Sequence, residues 1–346
     1  MSSETSTALS SSRVSSVVPG DPTWHQTMLR ITNPSKSLEF YRDKMGMTLL
    51  DKIEFPQYSF DLYFLTTLPD SETYDLEVGS TEAHRYLWTY KGTTLELTHN
   101  YEQSSVHGGN MERDGFGHVA FHVDDVYATT DELLQSGVAF KKKPDEGNMK
   151  GLAFAYDPDG YWAELVKRGQ GHALKSKANF SQTMIRVKDA SKSVAFYESL
   201  GMTLLHVMHF PQWKFSNYFM GTLSEEEIST FPGSDASDEE KAAFLNARHR
   251  PILELTHNHG TENDADFVHN SGNEEGKQGF GHIGFLVDDV SAACDSLKSH
   301  GCGFKKGPDD GNMKGLAFAY DPDGYWVEII KRGGYDSSAT PYYFDS

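Results

Sequence analysis

The sequence predicts an α+β protein made of two tandem copies of one unit, each copy consisting of two β-α-β-β-β modules that form curved sheets of antiparallel type. The first observation is a repeat: NMKGLAFAYDPDGYW begins at Asn148 and recurs letter for letter at Asn312. The second is that further matches follow the same order in both halves, such as GFGHVAFHVDDV at Gly115 and GFGHIGFLVDDV at Gly279. The third is that segments with strand-like alternation outnumber segments with helical spacing.

The first module of the first copy begins with QTMLRIT, from Gln26, whose alternation predicts a strand. Residues 34–44 predict an amphipathic helix, because Leu38 and Tyr41 are spaced for one face and Gly46 ends the run. The segments MTLLDKIEF, SFDLYFLTTL and TTLELTH follow. They are rich in β-branched and aromatic residues and predict three more strands.

The second module repeats this order. HVAFHV predicts a strand, residues 124–135 a helix closed by Gly137, and three strands follow around residues 138–140, 151–156 and 161–166. The second copy has the same segments in the same order from Gln182 onward. The acidic stretch from Ser224 is expected to be a mobile insertion between strands, in which residues 239–246 predict a short helix.

Composition also divides the chain. We expect folded domains at residues 23–168 and 180–332, a polar linker at 169–179 and a C-terminal tail at 333–346. Residues 1–22 are rich in Ser and Thr and have no apolar periodicity. They cannot bury enough surface to offset the entropy of ordering, so we expect a disordered tail.

Charge and cysteine content exclude several classes of function. The chain has 346 residues with 50 Asp and Glu against 31 Lys and Arg, a formal net charge of −19 that repels nucleic acid and anionic lipid. No apolar run approaches the roughly 20 residues of a membrane span, and no apolar signal segment is present. We therefore expect a cytoplasmic protein with neither nucleic-acid nor membrane partners. The only cysteines are Cys294 and Cys302, so a metal would need oxygen and nitrogen ligands.

Four polar residues per copy lie on predicted strands next to apolar neighbours, where an unpartnered charge would be costly. They are Gln26, Glu96, His118 and Glu164 in the first copy, and Gln182, Glu254, His282 and Glu328 in the second. Three oxygens and one imidazole with two negative charges suit a divalent cation, with zinc expected and nickel, cobalt or manganese as alternatives. Taken singly, each residue is also typical of a solvent-facing strand position or of a hydrogen-bonded core histidine, so the metal site is a hypothesis.

The motifs QTMLR, LELTHN, GFGH, KKPDxG, MKGLAF and DPDGYWxE occur in this order twice. They resemble the glyoxalase I (lactoylglutathione lyase) family of the vicinal oxygen chelate superfamily, in the tandem two-domain form seen in fungi. The resemblance covers residues 24–332. It implies paired modules, a divalent metal, and isomerisation of the methylglyoxal–glutathione hemithioacetal to S-D-lactoylglutathione, with glutathione as co-substrate.

The resemblance also implies crosswise sites, in which each copy supplies half of the ligands and a monomer holds two active sites between its domains. Site 1 would consist of Gln26, Glu96, His282 and Glu328, and site 2 of Gln182, Glu254, His118 and Glu164. The implied contacts to the γ-glutamyl end of glutathione are Arg30, Asn100, Arg186 and Asn258. The implied contacts to the glycine carboxylate are Lys142, Gly147, Lys306 and Gly311.

One departure concerns the residue before GFGH, which is often Arg in the family but is Asp114 and Gln278 here. Arg113 or Lys277, one position earlier, is the expected substitute.

For catalysis, we expect Glu164 and Glu328 to act as the proton-transferring bases, because each shares a strand with a Tyr-Trp pair that could exclude water. We expect Glu96 and Glu254 to serve the opposite face of the substrate. Two alternatives remain. An extradiol-type dioxygenase favours two His and one carboxylate on iron, whereas each site here has one His. A metal-free protein that sequesters a ligand could use the same fold.

Overall fold

The computed structural model describes residues 16–169, 176–233 and 235–333. Most of the predicted N-terminal tail, the middle of the predicted linker and nearly all of the predicted C-terminal tail lie outside these residues. The proposed domain boundaries therefore stay predictions. Among the described residues, no helix combines the length and apolar character that crossing a membrane requires.

Sixteen strands and seven helices alternate along the described chain. The strands of the first half are β1 (Thr23–Ile31), β2 (Thr48–Phe55), β3 (Phe60–Thr66), β4 (Thr94–Asn100), β5 (Phe116–Val123), β6 (Phe140–Lys142), β7 (Ala153–Tyr156) and β8 (Trp162–Lys167). Those of the second half are β9 (Asn179–Val187), β10 (Thr203–Phe210), β11 (Phe215–Gly221), β12 (Ile252–Asn258), β13 (Phe280–Val287), β14 (Phe304–Lys306), β15 (Ala317–Tyr320) and β16 (Trp326–Lys331). The helices are α1 (Pro34–Leu38), α2 (Thr81–Thr89), α3 (Val126–Gln135), α4 (Ala190–Ser199), α5 (Glu225–Thr230), α6 (Asp238–Ala247) and α7 (Val290–Ser299).

The strands form two eight-stranded sheets, and each sheet takes one module from each half of the chain. Sheet I has the order β14-β15-β16-β13-β1-β4-β3-β2, and sheet II the order β10-β11-β12-β9-β5-β8-β7-β6. The modules join through the antiparallel pairs β1–β13 and β5–β9. Within each module the first strand runs parallel to the fourth, so the sheets are mixed rather than purely antiparallel. The α+β class and the four-module architecture are confirmed.

Local signals explain most of the helices. The Asn33 side chain caps α1 by accepting a hydrogen bond from the backbone N–H of Lys36, and Pro34 occupies the first turn. The helix continues as a π-helical segment over Glu39–Lys44. The short helix predicted in the acidic insertion is confirmed as α6, which begins with a capping box at Ser237. Helix α2 was not predicted.

Buried hydrogen bonds tie the two sheets together within each half. The hydroxyl of Tyr41, which follows β1, donates to the Asp157 carboxylate at 2.8 Å, and Asp157 precedes β8 in the other sheet. The same carboxylate accepts from the backbone N–H groups of Asp159 and Tyr161. The second half repeats this link between Tyr197 and Asp321 at 3.1 Å. The DPDG segments are therefore turns whose first carboxylate is occupied by protein donors.

Candidate metal centres and active site

Strand register brings the site 1 residues together. Strands β4, β1, β13 and β16 are adjacent in sheet I, and each contributes one side chain. Gln26 on β1 lies opposite Gly284, which in turn pairs with Glu328 on β16. A Cβ atom at Gly284 would lie 2.7 Å from Gln26 Cγ, so a larger residue here would require the glutamine side chain to shift. Met28, two residues along β1, lies between Glu96 and His282.

The four site 1 side chains make direct contact. The Gln26 amide nitrogen lies 2.7 Å from Glu96 Oε2, 2.8 Å from Glu328 Oε2 and 3.2 Å from His282 Nε2. His282 Nε2 is 3.0 Å from Glu328 Oε2 and 3.3 Å from Glu96 Oε2. The ligand atoms of Glu96, His282 and Glu328 all lie within 4.8 Å of one another.

Site 2 repeats the arrangement with the halves exchanged. The Gln182 amide nitrogen lies 2.7 Å from Glu254 Oε2, 3.1 Å from Glu164 Oε2 and 3.2 Å from His118 Nε2. His118 Nε2 is 3.1 Å from Glu164 Oε2. All eight side chains are buried, with exposed fractions between 1% and 9%. Each cluster therefore combines ligands from both halves, in the crosswise grouping that the resemblance implies.

Burial and the nearby carboxylates shift the pKa values of several residues in both clusters. Burial alone would lower the pKa of His282, but the carboxylates of Glu328 and Glu96 outweigh it and raise that pKa to about 9. At site 2, burial raises the pKa of Glu254 to about 7, with the imidazole of His118 opposing the shift. The pKa of His118 is raised as well: burial lowers it, and Glu164 reverses the effect.

The donor set fits a divalent cation. Two buried carboxylates in one cluster are costly unless positive charge lies between them. A cation bound by two carboxylates, one imidazole and one amide carbonyl would be neutralised and supplied with hard ligands of the kind that Zn²⁺, Ni²⁺, Co²⁺ and Mn²⁺ accept. The Gln26 and Gln182 amides can present their oxygens to such a cation after a half-turn of the amide group.

A cavity of about 520 Å³ opens beside site 2, within the size range of small-molecule sites, roughly 300–1,000 Å³. All four site 2 ligands line it, together with Arg186 and Asn258 from the predicted glutathione contacts. Its other lining residues include His122, Met149, Leu152, Phe154, Met184, His206, Phe210, Phe215, Asn217, Phe219, Asn246, Arg248 and Arg250. A larger open cavity, about 950 Å³, lies beside the acidic insertion and includes none of the eight ligands.

Site 1 borders an apolar cluster. The buried members of this cluster are Leu50, Ile53, Phe55, Phe64, Leu87, Trp88, Leu286, Leu316 and Ile330. Leu87 and Trp88 come from α2, the helix that was not predicted. Leu286 holds the position that corresponds to His122 in the site 2 cavity.

Most of the predicted glutathione contacts are engaged with the protein itself, including Arg186, which donates to the Asn110 side chain at 2.9 Å. Arg30 donates to the backbone oxygens of Gly272 and Phe280 and, at 2.8 Å, to the Asn273 side chain. Asn100 donates to Gln103 at 2.8 Å. Lys142 and Lys306 donate to the carbonyls of Leu152 and Leu316 at 2.6 and 2.7 Å. Gly147 and Gly311 have φ values of 66° and 69° in the adjacent turns.

Asp114, which stands before GFGH where the family often has Arg, has a structural role. The Asp114 side chain is buried and accepts hydrogen bonds from Met111 N–H at 2.7 Å and from Asn270 Nδ2 at 3.0 Å, and it contacts a His107 ring nitrogen at 2.6 Å. Arg186 donates to the Asp114 carbonyl at 3.2 Å. Arg113 is exposed and lies over the Phe267 ring, 5.5 Å from its centre, rather than lining the site 2 cavity. Asp114 thus holds the loop that positions Arg186.

Sequence reasoning missed two arginines at the cavity, which lie between α6 and β12. The acidic segment that contains α6 corresponds to the connection between β3 and β4 of the first half, which has nearly the same length and contains α2. Arg248 and Arg250 follow α6 directly, and their counterparts in the first half are Tyr90 and Gly92. Arg248 is buried and pairs with Glu227 at 2.9 Å. The sequence signal that could have revealed them is a pair of arginines between an acidic helix and LELTHN. This pair occurs only in the second copy.

Comparison with known proteins agrees with the geometry. The family model described as "Glyoxalase/Bleomycin resistance protein/Dioxygenase superfamily" matches residues 23–165 and 179–329. Lactoylglutathione lyase of Schizosaccharomyces pombe is 38% identical over 89% of this chain and 96% of its own length, and glyoxalase I of Saccharomyces cerevisiae is 37% identical over 90% and 94%. The crystal structure of a glyoxalase I mutant from Zea mays aligns with a TM-score of 0.63 at 25% identity, covering 90% of this chain and 93% of that one. The chain belongs to this superfamily and, within it, to the lactoylglutathione lyases.

Proposed function

We propose that sites 1 and 2 are the metal centres of a glutathione-dependent enzyme that isomerises the methylglyoxal–glutathione hemithioacetal to S-D-lactoylglutathione. The observation that carries the proposal is the grouping at site 2. Four buried ligands from both halves form one wall of a cavity that also presents Arg186 and Asn258.

The reaction moves one proton between neighbouring carbons, so it needs a base and a means of stabilising negative charge on oxygen. A divalent cation, when bound, would supply Lewis-acid stabilisation for the charge that develops on the substrate oxygens. We assign the base at site 2 to Glu164, whose Oε2 takes the proton from one carbon and returns it to the next. Glu328 is the corresponding base at site 1, and Glu254 and Glu96 face the substrate from the other side.

The walls of the site 2 cavity keep water away from the transferred proton. The Phe154 ring lies 5.4 Å from the His118 ring, edge to face, and 5.4 Å from the Trp162 ring. Phe219 and Met184, both nearly buried, close other parts of the wall. A base in such surroundings exchanges its proton with the substrate rather than with solvent, which favours return of the same proton.

Recognition of glutathione must overcome the net charge of −19, because the tripeptide carries two carboxylates. We assign the γ-glutamyl end to Arg186 and Asn258, which reach the cavity from β9 and β12. Lys142 lies near Glu164 and is the candidate for the glycine carboxylate. Its amino group would exchange the Leu152 carbonyl for the substrate.

We further propose zinc as the resident metal, a monomeric enzyme and a cytoplasmic location. Support for a monomer comes from the site composition: one chain supplies all four ligands of each site, so neither site needs a second subunit. Support for zinc comes from the donor chemistry.

The test is an ultraviolet assay of thioester formation from methylglyoxal and glutathione. Purified protein should form the thioester, lose activity after chelation and regain it when a divalent metal is restored. A protein that binds the hemithioacetal without producing thioester would support sequestration instead. Oxygen consumption with a catechol would support a dioxygenase. Unchanged activity in protein shown to be metal-free would refute the metal assignment.

A further inference from the structure

The site 2 cavity has two ends, with the metal ligands between them. Along β12, Asn258 lies at one end, Ile252 at the other and the ligand Glu254 in between. Arg186, which we assign to glutathione, lies on β9 beside the Asn258 end. The opposite end, here called the distal end, is lined by Ser181, His122, Arg248 and Arg250. The proposed function leaves the distal end without a substrate group.

Two of the three guanidinium nitrogens of Arg248 are engaged. Nε lies 2.9 Å from Glu227 Oε1, and Nη2 donates to the Thr222 carbonyl at 3.0 Å. The third nitrogen, Nη1, lies 2.4 Å from the position that a Cβ atom at Gly221 would occupy. Gly221 follows Phe219 by two residues on β11, and alternate residues of a strand share a face. Because Phe219 lines the cavity, Nη1 lies on the cavity face of β11.

The distal end holds several buried polar atoms that need a partner. Within residues 16–169, 176–233 and 235–333, Arg248 Nη1, Ser181 Oγ and His122 Nδ1 are buried without a hydrogen bond. Arg248 and Ser181 are only 6% and 4% exposed. Buried polar groups are normally paired, so such a cluster indicates a ligand that the chain itself does not supply. Nη1 offers two N–H donors on a permanently charged group, and the partner that suits it best is an anion.

The charge of the cavity favours the same partner. Among the described residues that line it, the only carboxylates are those of the metal ligands Glu164 and Glu254. The lining cations are Arg186, Arg248 and Arg250. Since Arg186 is assigned to glutathione, the two other arginines remain for a second negative group.

The corresponding positions at site 1 disfavour an anion. Asp51 stands where site 2 has His206, and Tyr90 stands where site 2 has Arg248. Leu286, which replaces a histidine of the distal end, is buried in the apolar cluster. The two sites therefore differ most in the region that faces away from the predicted glutathione contacts.

We propose that the distal end of site 2 is a subsite for a carboxylate on the aldehyde part of the substrate, with Arg248 Nη1 as the specificity-determining donor. Site 2 would then isomerise glutathione hemithioacetals of 2-oxoaldehydes whose substituent ends in a carboxylate. The inference deepens the proposed function and rests on it. The proton moves between the same two carbons, and no bond within the substituent changes.

The length of the substituent follows from the strand. Gly221 lies two residues, about 7 Å, along β11 from Phe219, which pairs with Glu254. Two methylene groups and a carboxylate, followed by a hydrogen bond of about 2.9 Å, span this distance.

The first test is calorimetric titration with two stable thioethers that bind without reacting. They are S-(4-carboxybutyl)glutathione and its uncharged isostere, S-(5-methylhexyl)glutathione. The native protein should have one high-affinity site per chain for the carboxylate probe. Arg248→Met combined with Glu227→Gln removes both members of the ion pair and leaves the net charge unchanged. It should weaken binding of the carboxylate probe about tenfold or more relative to the neutral probe.

Glu227→Gln alone is the matched control, because it keeps Arg248, and it should not weaken binding of the carboxylate probe. An equal loss for both probes, no loss in the double variant, or an equal loss in Glu227→Gln alone would each overturn the proposal. Circular dichroism identifies a variant that does not fold. In that case the native protein decides, since two equal sites per chain for the carboxylate probe would also overturn it.

The second test compares turnover of 4,5-dioxopentanoate and its neutral isostere 5-methyl-2-oxohexanal, each with glutathione. In Glu328→Gln protein, only site 2 keeps its base, and in Glu164→Gln protein only site 1 does. The ratio of kcat/KM for the carboxylate aldehyde to that for the neutral aldehyde should be about tenfold or more higher in Glu328→Gln. An equal or lower ratio would refute the proposal. Failure of the isomerase proposal would appear separately, as protein that binds the carboxylate thioether but forms no thioester from any aldehyde.

Discussion

Sites 1 and 2 have the same four ligand types and nearly the same internal distances, yet their surroundings are different. Next to site 2, His122 and Asn217 line an open cavity. At the corresponding positions next to site 1, Leu286 is buried in an apolar cluster and Leu62 packs against it. The duplication thus preserved the candidate ligand set, whereas the residues next to it diverged between the copies.

The second difference lies within the clusters. Gly284 lies opposite Gln26 in site 1, whereas Ala120 lies opposite Gln182 in site 2. The glutamine to carboxylate contact that measures 2.8 Å at site 1, Gln26 to Glu328, is 3.1 Å at site 2. Site 1 is the more compact cluster, and the glutamine of site 2 is more exposed, at 9% for Gln182 against 1% for Gln26. We therefore expect site 1 to favour metal retention and site 2 to favour turnover.

The largest expected effect comes from removing the base at each site. Loss of a general base costs about 10²–10⁴ in rate at the site that it serves. If site 2 carries most of the turnover, Glu164→Gln should remove most of kcat and Glu328→Gln a minor part. The rate of thioester formation by each zinc-loaded variant measures how much of kcat each site contributes.

The double variant Glu164→Gln plus Glu328→Gln is the control for this ranking and should be inactive. Full activity in the double variant would end the assignment of both glutamates. A larger loss in Glu328→Gln than in Glu164→Gln would show that site 1 is the working site.

The next largest effect is expected on KM, from a change in the arginine assigned to glutathione recognition at site 2. Arg186→Lys keeps the charge but removes the planar fork that can grip a carboxylate with two hydrogen bonds. Loss of one hydrogen bond to a charged group, about 1.5–3 kcal/mol, predicts a rise in KM of about tenfold or more with little change in kcat.

Arg30→Lys is the matched change at site 1, because Arg30 makes equivalent bonds to Gly272 and Phe280. It should leave the dominant KM unchanged. Equal rises in KM for Arg30→Lys and Arg186→Lys would mean that the arginines act on the loops they bind rather than on the substrate.

The Zn²⁺ affinity of each site should depend on pH, because the cation must displace any protons bound to its ligands. The pKa of His282 in the metal-free protein is raised to about 9, so below that pH a proton must leave before Nε2 can bind metal. Zn²⁺ affinity of site 1 should therefore rise from pH 7 to pH 9 and level off above it. Chelator competition in the Glu254→Gln background measures this, and a flat profile would contradict it.

Site 2 gives the internal comparison for this profile. Burial raises the pKa of Glu254 to about 7, so below pH 7 a further proton must be displaced there. Site 2 affinity, measured in the Glu96→Gln background, should therefore fall more steeply below pH 7 than above it.

Sequence reasoning reached the four-module architecture because the repeat and the strand alternation are both local patterns. It also placed the eight ligands in groups that the fold brings together, although the pairing came from family resemblance, since no local pattern says that β1 joins β13. The register shift in the β1–β13 pairing between Trp24 and Gln26 could not be predicted, because alternation assumes that neighbouring residues face opposite ways.

Helix α2 was missed for a related reason. Its sequence TEAHRYLWT contains aromatic and β-branched residues of modest helix propensity. Its start was marked only by the Ser80 cap. The site 2 cavity was missed because Arg248 and Arg250 correspond to Tyr90 and Gly92 in the first copy, so the repeat gave no signal for them.

The smallest expected effect is on the free energy of unfolding, from loss of the tyrosine–aspartate hydrogen bonds that join the two sheets. Burial raises the pKa of Asp157 to about 7, so its folded carboxyl is mostly protonated at pH 5.5 and ionised at pH 8. The Tyr41 hydroxyl donates to that group, and hydrogen bonds to an ionised acceptor are the stronger ones. Tyr41→Phe should therefore lower the free energy of unfolding by about 1 kcal/mol at pH 5.5 and about 2 kcal/mol at pH 8.

Tyr197→Phe makes the same change in the second half, where burial also raises the pKa of Asp321 to about 7. Its hydroxyl is farther from the carboxylate, at 3.1 Å rather than 2.8 Å, so its cost should be the smaller of the two at each pH. Urea unfolding of the metal-free single variants gives both numbers. A cost that does not grow between pH 5.5 and pH 8 would show that the tyrosines stabilise the junction by packing alone, and that the shared DPDG turns contribute no charge-dependent link between the sheets.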